Sequence, residues 1–295
     1  MRTSRRTFLN ISALAGVSLY LRPFTSFGIV SEAGKFLERI GISTSITNNE
    51  ILAATGYSFV EENAREFLAP EEPDSAFESK LILLKESKLP LEACNTFLPG
   101  KLKCVGPSPA HEEILNFGET AFRRAQMAGI KTIVFGSGGA RAIPEGFSRD
   151  EARKQFISLC TQLAPVAQKY NVVISLEPLN TKECNFINSV AEGGEIVKEV
   201  DNENFRLLAD IYHMLMENES PANITKYGHL LYHTHIAEKT NRSAPGVSRE
   251  DFTHYFRALK DVKYEGRMTI ECIWKNLEEQ ASGALSALHR QISSV

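Results

Sequence analysis

The chain has 295 residues, 43% of them hydrophobic, and 33 Lys and Arg against 36 Asp and Glu leave a formal charge of −3. That balance makes a poor nucleic-acid binder, because duplex affinity comes largely from Lys and Arg neutralising phosphates, and it argues against a membrane-surface role for the body of the protein. Five cysteines, at 94, 104, 160, 184 and 272, include no CxxC pair, which weighs against a structural zinc site and allows a disulfide without requiring one.

Residues 4–9 read Ser-Arg-Arg-Thr-Phe-Leu, and an uncharged apolar stretch follows over 11–21. That stretch is too short to span a bilayer as a helix but suits the apolar region of a signal peptide. The Arg5–Arg6 pair before Phe8 and Leu9 is similar to a twin-arginine export signal, a route that carries folded proteins to the periplasm. The alternative is a basic N-terminal helix that stays on the protein. Residues 1–28 are thus expected to be the export segment and 33–295 the mature domain. No Ala-x-Ala site follows, so cleavage within 23–33 and retention as an anchor both stay open. Residues 1–28 hold Arg2, Arg5, Arg6 and Arg22 and no acid, so their loss takes the formal charge from −3 to −7.

Beyond this segment, short apolar runs alternate with amphipathic stretches, as repeated strand–helix units require. The pattern predicts strands over 39–45, 57–60, 89–95, 132–135, 172–177, 205–210, 230–235 and 267–271. It predicts helices over 49–54, 77–86, 114–128, 149–170, 193–200, 225–227 with its flanks, 249–261 and 276–294. Ser148 and Glu151 have the spacing of a capping box and open the long fourth helix. Gly129 and Gly266 are read as helix-closing glycines, and 70–73 and 104–111 as loops. There is no low-complexity linker. The length left after the export segment fits one (β/α)8 TIM barrel of ~250 residues, an α/β fold in a single domain.

Four side chains stand at the ends of the last four apolar runs: Glu177, Asp210, His235 and Glu271. In such a barrel the strand ends converge on the face that carries active sites. A lone acid at a strand end is usually solvated or salt-bridged. Four such positions on consecutive strands need compensation, because buried unpaired carboxylates are costly. A divalent cation supplies it. Three carboxylates and an imidazole favour Mn²⁺, with Co²⁺ or Mg²⁺ as alternatives, over a closed thiolate zinc site. A hydrogen-bonded network without metal is the competing reading.

These motifs resemble a known family. Glu177-Pro-Leu-Asn-Thr-Lys-Glu183-Cys-Asn-Phe-Ile-Asn188 is similar to the Glu-Pro-Leu-Asn…Glu…Asn block of the xylose isomerase-like barrels, in particular the ketose 3-epimerase and hydroxypyruvate isomerase group. Asp210-x-x-His213-Met resembles that group's Asp-x-x-His-Met, and His233-x-His235-x-x-Glu238 its His-x-His segment. Glu271 takes the place of the closing strand-eight Glu, and 56–62 and 93–100 resemble the early strands, so the resemblance covers roughly 38–275.

The resemblance implies that Glu177, Asp210, His235 and Glu271 bind the metal. It also implies that Glu177 and Glu271 exchange protons with the carbon beside a ketose carbonyl from its two sides, through an enediolate that the metal stabilises. Glu183 and His213 would hydrogen-bond the sugar near its carbonyl end, and so would an Arg after strand seven. Arg242 is assigned to that role although it stands one residue later than in the family pattern. From the residues alone, the alternatives are a surface carboxylate for Glu183 and a core-packed imidazole for His213. His233 is assigned to the opposite side of its strand from His235, with a structural role. Lys239 is either a solvated charge or an additional acid. Cys94, Cys184 and Cys272 are read as apolar fillers, and Trp274 as a ring that stacks on sugar or packs on a loop.

The leading function is a metal-dependent sugar isomerase or epimerase. The same site supports a lyase or dehydratase, since proton abstraction beside a carbonyl can be followed by loss of the β-oxygen; inosose dehydratases resemble this family. Export favours free or keto-sugars over phosphorylated ones, and no Gly-rich phosphate cradle is evident. Endonuclease IV-like nucleases share the barrel but need more His ligands than seven His readily supply, and a basic groove. A non-catalytic sugar-binding protein would keep the pocket without the Glu177 and Glu271 pair. The expected partner is a small-molecule sugar, with no nucleic acid and no membrane contact beyond the export segment; a homo-oligomer is left open.

Overall fold

The computed structural model describes residues 39–295, so the expected export segment over 1–28 and its boundary lie outside the described residues. Eight parallel strands close on themselves in sequence order. They are β1 (Ile40–Ser43), β2 (Phe59–Asn63), β3 (Leu91–Asn95), β4 (Thr132–Phe135), β5 (Val173–Leu176), β6 (Phe205–Asp210), β7 (Leu231–Ile236) and β8 (Arg267–Ile270). β1 pairs with both β2 and β8, which removes the sheet edges. The strands are short apolar runs because helices cover their outer faces. This is the (β/α)8 barrel that the alternation predicts.

Six longer helices form the outer ring: Asp74–Glu86, His111–Ala128, Arg149–Lys169, Val190–Val200, Thr253–Asp261 and Leu277–Ile292. Side chains cap several of them: Ser148 Oγ accepts from Glu151 N at 3.3 Å, and Ser189 Oγ from Glu192 N at 3.1 Å. Phenyl rings pack the layer between ring and barrel, with Phe122, Phe97, Phe135 and Phe156 in successive contacts of 5.4–5.6 Å between centroids. No helix among the described residues is long and apolar enough to cross a membrane. All five cysteines are free, four of them buried, so the allowed disulfide does not form.

Three local expectations are corrected. The second strand starts at Phe59 and runs on to Asn63, carrying Glu61 and Glu62 with it. Its pairing with β3 shifts register between Val60 and Glu61, an irregularity that the apolar run does not announce. The helix expected from 249 begins only at Thr253, because the preceding backbone is bonded to Glu238: Gly246 N, Ser248 N and Glu250 N all donate to its carboxylate. Gly129 does close its helix in the left-handed region, at φ 78°. Gly266 does not; Lys263, at φ 53°, makes the turn out of Thr253–Asp261.

The barrel's register also sets the site. Asp210 on β6 pairs with His235 on β7, and His235 pairs with Thr269 on β8. Three neighbouring strands therefore present Asp210, His235 and Thr269 at one depth, two residues before Glu271.

Candidate active site

Glu177 is the first residue past β5, Asp210 the last of β6, His235 the last but one of β7, and Glu271 the first past β8. Each offers a ligand atom, and the four atoms lie within 4.8 Å of one another. His235 Nδ1 is central, 3.0 Å from Glu177 Oε1 and 3.4 Å from Glu271 Oε2. Glu177 fits there because residue 136, just past β4, is Gly: a Cβ at that position would lie 2.2 Å from Glu177 Oε2. Asn95, the last residue of β3, donates to Glu271 Oε1 at 2.9 Å and to Ser43 Oγ at 2.9 Å. The four expected metal ligands are thus brought together.

Arg242 reaches the same centre. The chain turns back through two left-handed residues, Asn241 at φ 56° and Arg242 at φ 47°. Its Nη2 donates to Glu271 Oε2 and lies 3.6 Å from Asp210 Oδ2, while Nη1 is 3.6 Å from Glu183 Oε1. The guanidinium also covers the Tyr212 ring at 4.7 Å. Glu238, fully buried, organises this loop through Ser243 Oγ at 3.0 Å and Gly246 N at 2.7 Å.

Glu183 sits on the rim, 39% exposed at its side chain and held by Asn180 Nδ2 at 2.9 Å. His213 is buried. Its Nδ1 accepts from Asn180 N at 3.2 Å, which assigns the proton to Nε2. That Nε2 lies 3.4 Å from Asp210 Oδ2 without hydrogen-bonding it. His213 is therefore both a packed imidazole and a donor held toward the site. Lys239 donates to Asn218 Oδ1 at 2.9 Å, and Trp274 packs against the hydrophobic core. Neither lines the clefts of the site, whereas Ile273 does.

The placement of His233 on the opposite side of its strand is overturned, while its structural role stands. Residues two apart on a strand share a face, and both imidazoles of β7 point inward to one carboxylate. His233 Nε2 is 2.8 Å from Glu61 Oε2, and His235 Nε2 is 2.9 Å from Glu61 Oε1, though out of line for a hydrogen bond. Glu61 is fully buried and is a residue that strand-end reasoning misses, because the expected strand stops at 60. The available signal is the paired acid Glu61-Glu62 directly after Phe59-Val60.

Charge follows from this crowding. Burial raises Glu177, and it raises Asp210 to about 6 against the pull of Arg242 and His235. For Glu271 burial acts in the same direction, but His235 and Arg242 outweigh it and hold the carboxyl down at about 2. Burial would lower His235, yet Glu61 and Glu271 hold it well above the usual imidazole range. Burial lowers His213, which favours its neutral form. Three clefts share Arg242. One of about 320 Å³ holds Glu177, Glu183, His213 and Glu271; one of about 420 Å³ runs past Ser43, Asn95 and Glu62; and one of about 520 Å³ runs past Tyr212, Val247 and Ile273.

Residues 50–291 match the xylose isomerase-like TIM barrel family. The chain belongs to this family. It is 32% identical over 143 residues to the L-ribulose 3-epimerase of Methylomonas sp., covering 43% of this chain and 50% of that protein. It is 32% identical over 125 residues to the 3-dehydro-D-guloside 4-epimerase of Escherichia coli, covering 42% and 47%. The matched segments thus span half or less of these relatives' length. Among solved structures, D-psicose 3-epimerase from Clostridium cellulolyticum, crystallised with D-tagatose, superposes with a TM-score of 0.76 at 21% identity over 86% of this chain and 99% of that one. At that identity the match speaks for the fold.

On this xylose isomerase-like barrel the donor set fits a divalent cation. Asp210 Oδ2 is buried and has no hydrogen-bond donor, although two further carboxylates stand beside it. A buried carboxylate oxygen in that state calls for a positive partner. Arg242 lies at 3.6 Å, beyond hydrogen-bond range, so it offsets the charge only in part.

Proposed function

We propose that the protein is a divalent-metal-dependent sugar epimerase or isomerase that moves the proton beside the carbonyl of a ketose or keto-sugar. The observation that carries this reading is the pair Glu177 and Glu271. Both flank His235 Nδ1, at 3.0 and 3.4 Å, and their acidities are pushed in opposite directions. Paired groups whose environments separate their pKa values are the mark of an acid and a base. The activities of the relatives, a 3-epimerase and a 4-epimerase, support the same reading.

Glu177, Asp210, His235 and Glu271 would hold the metal, Mn²⁺ first and Co²⁺ or Mg²⁺ next, on the chemistry of three carboxylates and one nitrogen. When bound it supplies Lewis acidity for a carbonyl oxygen. The protein's own groups account for the proton. Glu271, held ionised by Arg242, which donates to its Oε2, takes the proton from the carbon beside the carbonyl, and the C–H electron pair moves into the enediolate. Glu177, whose proton is held more firmly, returns one to that carbon from the opposite side, and the configuration inverts. The roles exchange in the reverse reaction. His213 offers its Nε2–H to a sugar oxygen. Arg242 and Glu183 bind hydroxyls at the rim. The Arg5–Arg6 segment fits twin-arginine export to the periplasm, where free sugars and keto-sugars are the available substrates.

The test is incubation with free ketoses and 3-keto-glycosides in D₂O with Mn²⁺. Deuterium at one carbon with an inverted centre supports an epimerase; an unsaturated product with a lost oxygen would replace it by the lyase reading. Glu177→Gln and Glu271→Gln should each lower turnover ~10²–10⁴-fold, the usual loss for a positioned acid or base. Strong exchange in both variants would remove both glutamates from the chemistry.

A further inference from the structure

We propose that Glu61 is a positioning residue that receives the Nε2–H of His235 and so keeps the Nδ1 lone pair turned toward Glu177 and Glu271. This rests on the reading of His235 as a metal ligand. Glu61 reaches into the barrel interior from β2, while His235 stands on β7, with β8 and β1 between them in the closed sheet. Its Oε2 accepts from Thr269 Oγ1 at 2.8 Å and faces His233 Nε2 at 2.8 Å. Its Oε1 stands 2.9 Å from His235 Nε2 but out of line for a hydrogen bond, and both atoms are buried without a partner, so each is the one available to satisfy the other. A fully buried carboxylate in the middle of a barrel is expensive, and apolar packing would hold the strands as well or better. The charge is therefore explained by what it does to the imidazole.

An imidazole can bind a cation through one nitrogen only if that nitrogen is unprotonated, and a carboxylate at the other nitrogen fixes both the proton and the ring orientation. The geometry has that order: carboxylate at Nε2, open side of the ring at Nδ1, then the carboxylates of the cluster. His233 fills the second oxygen of Glu61 and stands edge-on to His235, with ring centroids 5.1 Å apart and planes at 82°, which limits rotation of the ring. His233 thus belongs to the support and not to a second metal site.

The test uses the full chain. Mn²⁺ affinity is measured from the free-ion electron-spin signal, and the His235 Nε2–H proton is followed by ¹⁵N-edited NMR with diamagnetic Mg²⁺ bound. Glu61→Gln keeps the side chain's shape but removes the charge. It should raise the Mn²⁺ dissociation constant about 10–100-fold and move the Nε2–H signal upfield. Thr269→Val, which strips a different contact from the same carboxylate, should leave both readouts near wild type. Wild-type affinity and an unmoved proton signal in Glu61→Gln would overturn the proposal while leaving the metal reading intact. If Glu61→Gln does not fold, the wild type decides: a low-field, slowly exchanging Nε2–H supports the proposal and its absence overturns it. A wild type that binds no Mn²⁺ overturns the metal reading and this inference together.

Discussion

Asp210 divides its two oxygens between separate tasks, which allows them to be tested apart. Oδ1 accepts from Tyr212 N at 2.8 Å and caps the helix Ile211–Met216, whereas Oδ2 is buried without a hydrogen-bond partner. Asp210→Ala would lose the cap as well, worth ~1 kcal/mol; Asp210→Asn keeps an oxygen for the cap and removes only the charge. Without metal that charge is a burden. Burial raises the carboxyl from 3.8 to about 6, so its ionised form at pH 7 costs the fold about 3 kcal/mol. The sign is that of a raised acid: the cost is absent below the unfolded value and fully present above the folded one. Metal-free Asp210→Asn should therefore melt at or above metal-free wild type. With Mn²⁺ at 100 times its dissociation constant the wild type gains about 2.7 kcal/mol, or about 5–10 °C for a domain of this size, and the variant gains little. The two melting curves, followed by circular dichroism at pH 7 in EDTA and then in Mn²⁺, should exchange order. Equal Mn²⁺ shifts, or full metal content in Asp210→Asn, would refute the placement of Oδ2 at a cation site.

Arg242→Lys keeps a charge but loses the planar fork shared among Glu271, Asp210 and Glu183. Its KM should rise about 10–100-fold, the equivalent of one charged hydrogen bond, and an unchanged KM would dissociate Arg242 from the sugar. Glu238→Gln presents an N–H₂ to a nest of backbone donors at Gly246, Ser248 and Glu250. It should destabilise the loop by about 1–3 kcal/mol and raise KM with metal content unchanged; a wild-type melt and KM would show that the loop does not depend on this carboxylate. Arg5→Lys together with Arg6→Lys should retain the protein in the cytoplasm, and its recovery from the periplasmic fraction would refute twin-arginine export.

The sequence carries the barrel and most of its mouth for one reason: each β-strand here is a short apolar run, and a charged residue that ends such a run has nowhere to go but the barrel's C-terminal face. Glu177, Asp210, His235 and Glu271 all obey this, and the structure sets their ligand atoms within 4.8 Å of one another. Arg242 obeys a weaker rule. Its place after strand seven is legible, but its approach depends on two consecutive left-handed residues at Asn241 and Arg242, and neither side chain announces that conformation as a glycine would.

What stays hidden lies one layer deeper, and both failures are failures of phase. Placing the second strand two residues early leaves Glu61 outside it, although the register shift at Val60 and Glu61 carries that carboxylate into the barrel. Treating His233 and His235 as opposed contradicts the two-residue period of a strand, which puts both imidazoles on the interior face. The errors conceal each other, because Glu61 explains why two histidines can share a buried face and the two histidines explain why a carboxylate can sit there. Burial alone would raise Glu61, but His235 and His233 beside it hold the carboxyl below the usual range, whereas Glu177 and Asp210 nearer the mouth stay raised. The interior carboxylate faces two imidazoles, whereas Asp210 Oδ2 above it is buried with no hydrogen-bond partner. The proposed cation site therefore lies with Glu177 and Asp210 at the mouth and not with Glu61 below them.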